Sequence, residues 1–200
     1  MQMALACDNI GYVTRPYPGE SLCGDLGQFW NLPDRRVIAI ADGLGHGPGA
    51  HHAAQTAMRC IENHLHKDCL DIFAICNEKL ISTRGCVLAI AIIDLHTQQM
   101  SLGSVGNIRT LLVTEERQFH FSASRGIVGA GPVSLSPMQV SLLPGDRLLM
   151  FSDGVNEAAH LPQELLLQKP TAQYLADEVL ARWGDERDDA SVLVYRHTQS

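Results

Sequence analysis

Val37-Ile38-Ala39-Ile40-Ala41 is an unbroken apolar run that stops abruptly in Asp42-Gly43-Leu44-Gly45-His46-Gly47-Pro48-Gly49. A short apolar run bounded by a glycine-rich stretch reads as a strand buried on both faces, which places it inside a covered sheet. A helix is expected directly after it. Ala50, Ala53, Ala54, Ala57, Met58, Ile61 and Leu65 recur at helical spacing and form one apolar stripe. A second helix is expected over about 69–82, with Leu70, Phe73, Leu80 and Ile81 facing inward.

The rest of the chain reads mainly as β. Residues 4–14 and 26–32 look like short strands separated by a turn at Pro16, Pro18 and Gly19. Strands are expected over 85–95, 100–105, 108–114 and 118–122, with turns at His96-Thr97-Gln98-Gln99, Gly106-Asn107 and Glu115-Glu116-Arg117. A glycine-rich loop spans 126–132, and 140–143 with 147–152 reads as a hairpin around Pro144-Gly145-Asp146. A helical stretch over about 162–183, broken near Pro170, carries the stripe Ala172, Leu175, Ala176, Val179, Leu180 and Trp183. A strand over 191–196 closes the chain. This order does not alternate βαβα, so the expected class is α+β, with helices packed outside two antiparallel sheets.

The 200 residues fit one domain, 1–200, able to bury roughly 70% of the unfolded chain's surface. Hydrophobic residues make up 46% and charged residues 18%, which excludes a disordered chain, a coiled coil or a collagen-like fibre. Fifteen Lys and Arg against 22 Asp and Glu give a net charge of -7. That balance lacks the basic footprint of a nucleic-acid binder and disfavours an anionic membrane surface. The apolar run 87–93 is too short to span a bilayer, and the first residues lack the basic and apolar regions of a signal peptide. Six cysteines form no Cys-x-x-Cys pair, so reduced buried thiols in a cytoplasmic protein are expected rather than a zinc site. No heptads demand assembly, and a monomer is expected.

Carboxylates carry the chemical signal. Asp25 opens a strand, Asp42 and Asp153 each end an apolar strand and precede a glycine, and Asp188-Asp189 precedes the last strand. Strand ends let a carboxylate project from a rigid core into a cleft, and glycine lets another group approach the backbone. Clustered carboxylates repel and raise one another's pKa, a penalty that a divalent cation removes. Oxygen donors without convergent His or Cys select Mg2+ or Mn2+. Two such ions roughly 3.5–4 Å apart hold a hydroxide and orient a phosphoryl group for in-line attack. A single Asp-Gly step is equally a turn signal, and Asp188-Asp189 also reads as solvated charge. Separation along the chain does not by itself bring these residues together.

Five ordered blocks carry a resemblance. They are Gly24-Asp25, then Ala39-Ile40-Ala41-Asp42-Gly43-Leu44-Gly45-His46-Gly47, then Ser104-Val105-Gly106-Asn107, then the run from Gly145-Asp146-Arg147 to Ser152-Asp153-Gly154-Val155-Asn156-Glu157, and finally Asp188-Asp189-Ala190-Ser191. From about residue 8 to 196 the chain resembles the metal-dependent serine/threonine phosphatases (PPM), and within them the bacterial SpoIIE-like branch. The resemblance implies an αββα sandwich with Mn2+ or Mg2+, two ions, in a cleft at one end. It implies that Asp42 bridges both ions, that Gly43 offers its carbonyl, that Asp153 and Asp188 bind one ion, and that Asp25 supports the other. Asp189 stands where the wider family has Asn, leaving the choice between Asp188 and Asp189 open, and Ser191 stands for the usual Thr. No sensor, transmembrane or kinase-binding segment is seen beside these motifs. That bare form resembles the stressosome phosphatases of this branch and implies phosphoserine or phosphothreonine substrates on stressosome STAS-domain proteins. A noncatalytic phosphoprotein-binding module of the same fold is the alternative.

His46, four residues after Asp42, is a candidate general acid for the leaving serine oxygen, with loop ordering or substrate contact as the other reading. His51, His52, His64 and His66 read as surface or packing residues along a helix. Arg15 is a candidate phosphate clamp, with plain surface exposure set against it, so phosphate binding is expected to rest mainly on the metals. Gly45-His46-Gly47-Pro48-Gly49-Ala50 fits a dinucleotide-binding pattern, but Asp42 puts negative charge ahead of it and no βαβ unit follows. Neither a P-loop nor a G-x-S-x-G elbow is present. The loop 126–131 is a candidate substrate contact or a plain turn.

Overall fold

The computed structural model describes residues 9–156, 161–162, 165 and 171–198. In chain order the elements are β1 (Ile10–Arg15), β2 (Asp25–Asn31), β3 (Arg35–Gly43), α1 (Gly47–Glu62), α2 (Cys69–Lys79), β4 (Cys86–Asp94), β5 (Gln99–Val105), β6 (Arg109–Val113), β7 (Gln118–Phe121), β8 (Met138–Ser141), β9 (Arg147–Phe151), α3 (Ala172–Trp183) and β10 (Ala190–Arg196). Two five-stranded sheets run in the orders β1-β10-β9-β6-β7 and β2-β3-β4-β5-β8, with every pairing antiparallel.

The two-residue period of a strand explains the apolar run that opens β3. Ile38 and Ile40 face the other sheet and pack with Leu148, Met150 and Leu193. Val37, Ala39 and Ala41 face outward and are covered by Ala53, Ala57 and Ile61 of α1 and by Ile72 and Phe73 of α2. On the opposite side α3 lays Leu175, Ala176 and Val179 against Leu149, Val192 and Val194. The layers are therefore helices, sheet, sheet, helix, the αββα sandwich that the resemblance implies. Small alanines on α1 let the helix axis approach the sheet closely, and Ala50, Ala53, Ala54 and Ala57 all lie at zero exposure.

Three local expectations are corrected. The inward face of α2 is Cys69, Ile72, Phe73 and Cys76, continued by Leu80, whereas Leu70 and Ile81 are exposed. The cysteines carry the i, i+3, i+4, i+7 stripe; Leu70 is one step, about 100°, off it, and Ile81 lies past the helix end. The turn at Pro144-Gly145-Asp146 forms, with Asp146 N–H donating to Leu143 O at 3.0 Å, but its arms do not pair. β8 pairs with β5, and β9 pairs with β6 and β10, so the chain passes from one sheet to the other there. Turn residues specify the bend and not the partner of each arm. His64 and His66 follow the end of α1 rather than lying on it. The part of the helical stretch before Thr171, and the strand start before Asn9, lie largely outside the described residues.

Cys23, Cys60, Cys69, Cys76 and Cys86 are free and buried, while Cys7 lies outside the described residues. Among the described residues no helix is long and apolar enough to cross a membrane.

Candidate active site

Antiparallel register sets Asp25, the first residue of β2, directly opposite Asp42 on β3. Directly opposed side chains lie about 4.5–5.5 Å apart at Cβ, and like charges there repel. Asp42 shares the strand face of Ile38 and Ile40, so both carboxylates point into the open end of the space between the sheets. The other sheet brings the rest. Ser191 Oγ of β10 reaches across and donates to Asp25 Oδ2 at 2.9 Å, while Ser191 N–H donates to Ser152 Oγ at 3.0 Å. Asp153 follows β9, and Asn107, just beyond β5, donates to its Oδ2 at 2.7 Å. Asp188 is exposed beside Asp189, which is buried. Asp189 Oδ1 accepts from Tyr17 N–H at 2.8 Å. Aspartates separated by up to 164 positions of sequence thus meet at one end of the sandwich.

Their charges are poorly compensated. Asp25 is wholly buried, and its Oδ1 has no hydrogen-bond partner among the described residues; neither does Asp189 Oδ2. None of the five aspartates pairs with Lys or Arg among the described residues. Burial pushes the Asp42 carboxyl up to about 9, with Asp25, Asp153, Asp188 and Asp189 adding repulsion. Burial likewise pushes Asp25 up to about 7, against the pull of the Ser152 and Ser191 hydroxyls. Asp188, though exposed, is also raised, first by partial desolvation and then by its acidic neighbours, against the pull of the Asp189 N–H.

This donor set suits a hard cation. It is made of oxygen alone, it holds two buried acceptor atoms that lack a donor, and its carboxylates destabilise one another. Among the described residues no three His, Cys, Asp or Glu side chains already close around one point, so the cluster is an electrostatic one and not a finished cage. Mg2+ or Mn2+ fits these residues better than a softer metal.

Gly43 ties the cluster to α1. A Cβ there would collide with the backbone carbonyl of Ala50, in the first turns of the helix. Leu44 N–H donates to Gly85 O at 3.1 Å, which holds the loop against the start of β4. His46 is exposed on this loop, with Nδ1 3.0 Å from Glu20 Oε1 and its ring stacked on Tyr17. His51 instead meets Cys23 O through Nδ1 at 2.8 Å, and His64 meets Cys60 O at 2.7 Å, both backbone contacts. Arg15 is half-buried and donates through Nη2 to Asp185 O at 2.6 Å, which makes it a strut for that turn. In the loop 126–131, Val128 pairs with Cys86, the neighbour of Gly43 in the sheet, so the loop lies at the aspartate end.

Sequence reasoning missed Tyr17 and Glu20 as neighbours of these groups, and Ser152, inside a recognised block, carried no signal of its contact with Ser191. Asn107 stood in a recognised block, but nothing in the sequence signalled its contact with Asp153.

The sequence pattern of the SpoIIE family (Stage II sporulation protein E) matches residues 33–198. The chain belongs to that family and has the fold of a PP2C-type phosphatase domain. Its relatives include the phosphoserine phosphatase RsbX of Bacillus subtilis (strain 168), 29% identical over 140 residues that cover 69% of this chain and 70% of that protein. Among solved structures, one described as the bacterial stressosome, a modular system adapted to control secondary messenger signalling, contains a chain 32% identical with a TM-score of 0.88, covering 94% of this chain and 98% of that one. RsbX crystallised with magnesium superposes with a TM-score of 0.81 at 22% identity, covering 92% of each chain.

Proposed function

We propose that this chain is a Mn2+- or Mg2+-dependent phosphoprotein phosphatase that removes phosphate from phosphoserine and phosphothreonine on STAS-domain proteins of a stressosome. The observation that carries the reading is the meeting of five aspartates from both sheets, two of them, Asp25 and Asp42, pushed well above the usual carboxylate range, with no Lys or Arg paired to any of the five among the described residues. Family membership and the similarity to RsbX and to a stressosome chain support the substrate class. We read residues 1–200 as one catalytic domain, monomeric and cytoplasmic.

Asp42, Asp153 and Asp188 would hold the ions through carboxylate oxygens, Gly43 through its carbonyl, and Asp25 in support. Bound there, the ions supply charge neutralisation and an activated water. The chain's own groups do the rest. Ser191 and Ser152 fix Asp25 in place, and Asn107 fixes Asp153, so the carboxylates are oriented before a ligand arrives. His46 would give a proton to the departing serine oxygen.

The test is intact-mass measurement of a phosphorylated STAS-domain protein incubated with this chain. Loss of about 80 Da, the mass of a phosphoryl group, with Mn2+ and none with EDTA is expected. Equal loss under both conditions sinks the metal-dependent reading. Stoichiometric capture of the phosphoprotein without phosphate release would favour the noncatalytic module instead.

A further inference from the structure

The loop between β1 and β2 grips the imidazole of His46 from two directions. Glu20 Oε1 lies 3.0 Å from Nδ1, and the Tyr17 ring stacks on the imidazole with centroids 4.1 Å apart and planes 11° apart. The loop is itself anchored, because Tyr17 N–H donates to Asp189 Oδ1 at 2.8 Å and Glu20 N–H to Tyr17 O at 3.0 Å. Gly47 makes room for it. Its φ is +70°, and a Cβ there would stand 2.6 Å from Glu20 Oε1. A residue just ahead of a helix usually turns its side chain back to cap the first turn, but His46 makes no such bond. The other charged group at hand is Arg84, whose Nη1 donates to His46 O at 3.4 Å and so contacts the backbone, not the ring.

A carboxylate oxygen accepts and never donates, so Nδ1 carries the hydrogen in this contact and Nε2 is left as the nitrogen free to exchange a proton. We infer that Glu20 is a positioning residue, which holds His46 with Nε2 free to protonate the leaving oxygen of a seryl or threonyl phosphate. The inference rests on the phosphatase reading above. As the bond from phosphorus to the seryl oxygen breaks, its electron pair stays on that oxygen, which takes the proton from His46 Nε2. A water oxygen forms the new bond to phosphorus, the water's proton passes to solvent, and His46 is reprotonated from solvent. A seryl alkoxide is strongly basic and needs this proton, whereas p-nitrophenolate leaves readily without it.

The leaving group therefore reads out the role. With Mn2+ present, Glu20→Gln is expected to lower kcat on a phosphoseryl peptide by about tenfold or more, with a several-fold smaller loss on p-nitrophenyl phosphate and little change in KM. In a His46→Ala background, Glu20→Gln is expected to add no further loss, because the two residues act as a unit. Unchanged thermal melting of each variant confirms that the loop stays folded. Equal losses on both substrates, or an additive loss in the His46→Ala background, would overturn the positioning role alone. Absence of metal-dependent turnover by the parent chain on either substrate would overturn the phosphatase reading and this inference with it.

Discussion

Asp42→Asn is expected to reduce turnover by about a thousandfold or more while making the metal-free protein more stable at alkaline pH. The loss follows from the proposed role of Asp42, because the substitution removes a carboxylate that would hold the ions, whose charge stabilisation would be worth several kcal/mol. The gain follows from linkage. The Asp42 carboxyl sits near 9 in the folded chain against 3.8 for an ordinary aspartate. Between those values the folded state binds more protons than the unfolded state, so stability falls as pH rises through the window and levels off above about 9. Asp25, raised to about 7, acts in the same direction over a narrower window. Asn is close in shape and carries no charge, so it removes the largest part of this penalty without opening a cavity. Thermal melts in EDTA from pH 5 to 9 check it: the parent's Tm should decline with pH, and the variant's should decline less. A parent whose melting temperature holds or rises across that range contradicts the electrostatic account.

Gly43→Ala should damage fold and site together. The added methyl group points at the backbone carbonyl of Ala50, and backbone cannot swing aside as a flexible side chain can. Either β3 or the start of α1 must shift. A loss of about 3 kcal/mol is expected, near the upper end for ordinary substitutions. For a chain of this size that corresponds to a drop of roughly 6–12 °C in Tm. Turnover should fall further than stability explains, since Gly43 follows Asp42 and leads into the loop that bears His46. Thermal melting alongside initial-rate measurement checks both parts, and an unchanged Tm would show that the helix does not press on the strand as described.

Much of the architecture is legible in the residues because burial writes itself as periodicity. β3 alternates Val37, Ala39 and Ala41 toward the helices with Ile38 and Ile40 toward the second sheet, and only a strand covered on both sides reads as unbroken apolar sequence. What fails is anything set by long-range pairing. The bend at Pro144-Gly145-Asp146 is visible, yet whether its arms pair with each other or with distant strands depends on which sheet edge is free. In α2 the stripe runs through Cys69 and Cys76, which pack as small apolar residues, while the larger Leu70 and Ile81 lie off it and are exposed.

The candidate site divides in the same way. Motif order names Asp25, Asp42, Asp153 and Asp188, but their meeting depends on the Asp25–Asp42 register and on the crossing of Ser191 from the other sheet. Neither can be read from spacing. Tyr17 and Glu20 lie in a proline- and glycine-containing loop with no pattern at all, and only the fold brings them to His46.

Calorimetric titration of Mn2+ into the metal-free chain at pH 7.5, repeated in two buffers of different ionisation enthalpy, tests the account at its centre. Asp42, raised to about 9 by burial and by repulsion from its acidic neighbours, must give up its proton when an ion binds there. Saturable binding with net proton release is predicted, with weaker binding and less release in Asp42→Asn. Failure to bind, or binding that releases no protons and is indifferent to Asp42→Asn, would contradict it.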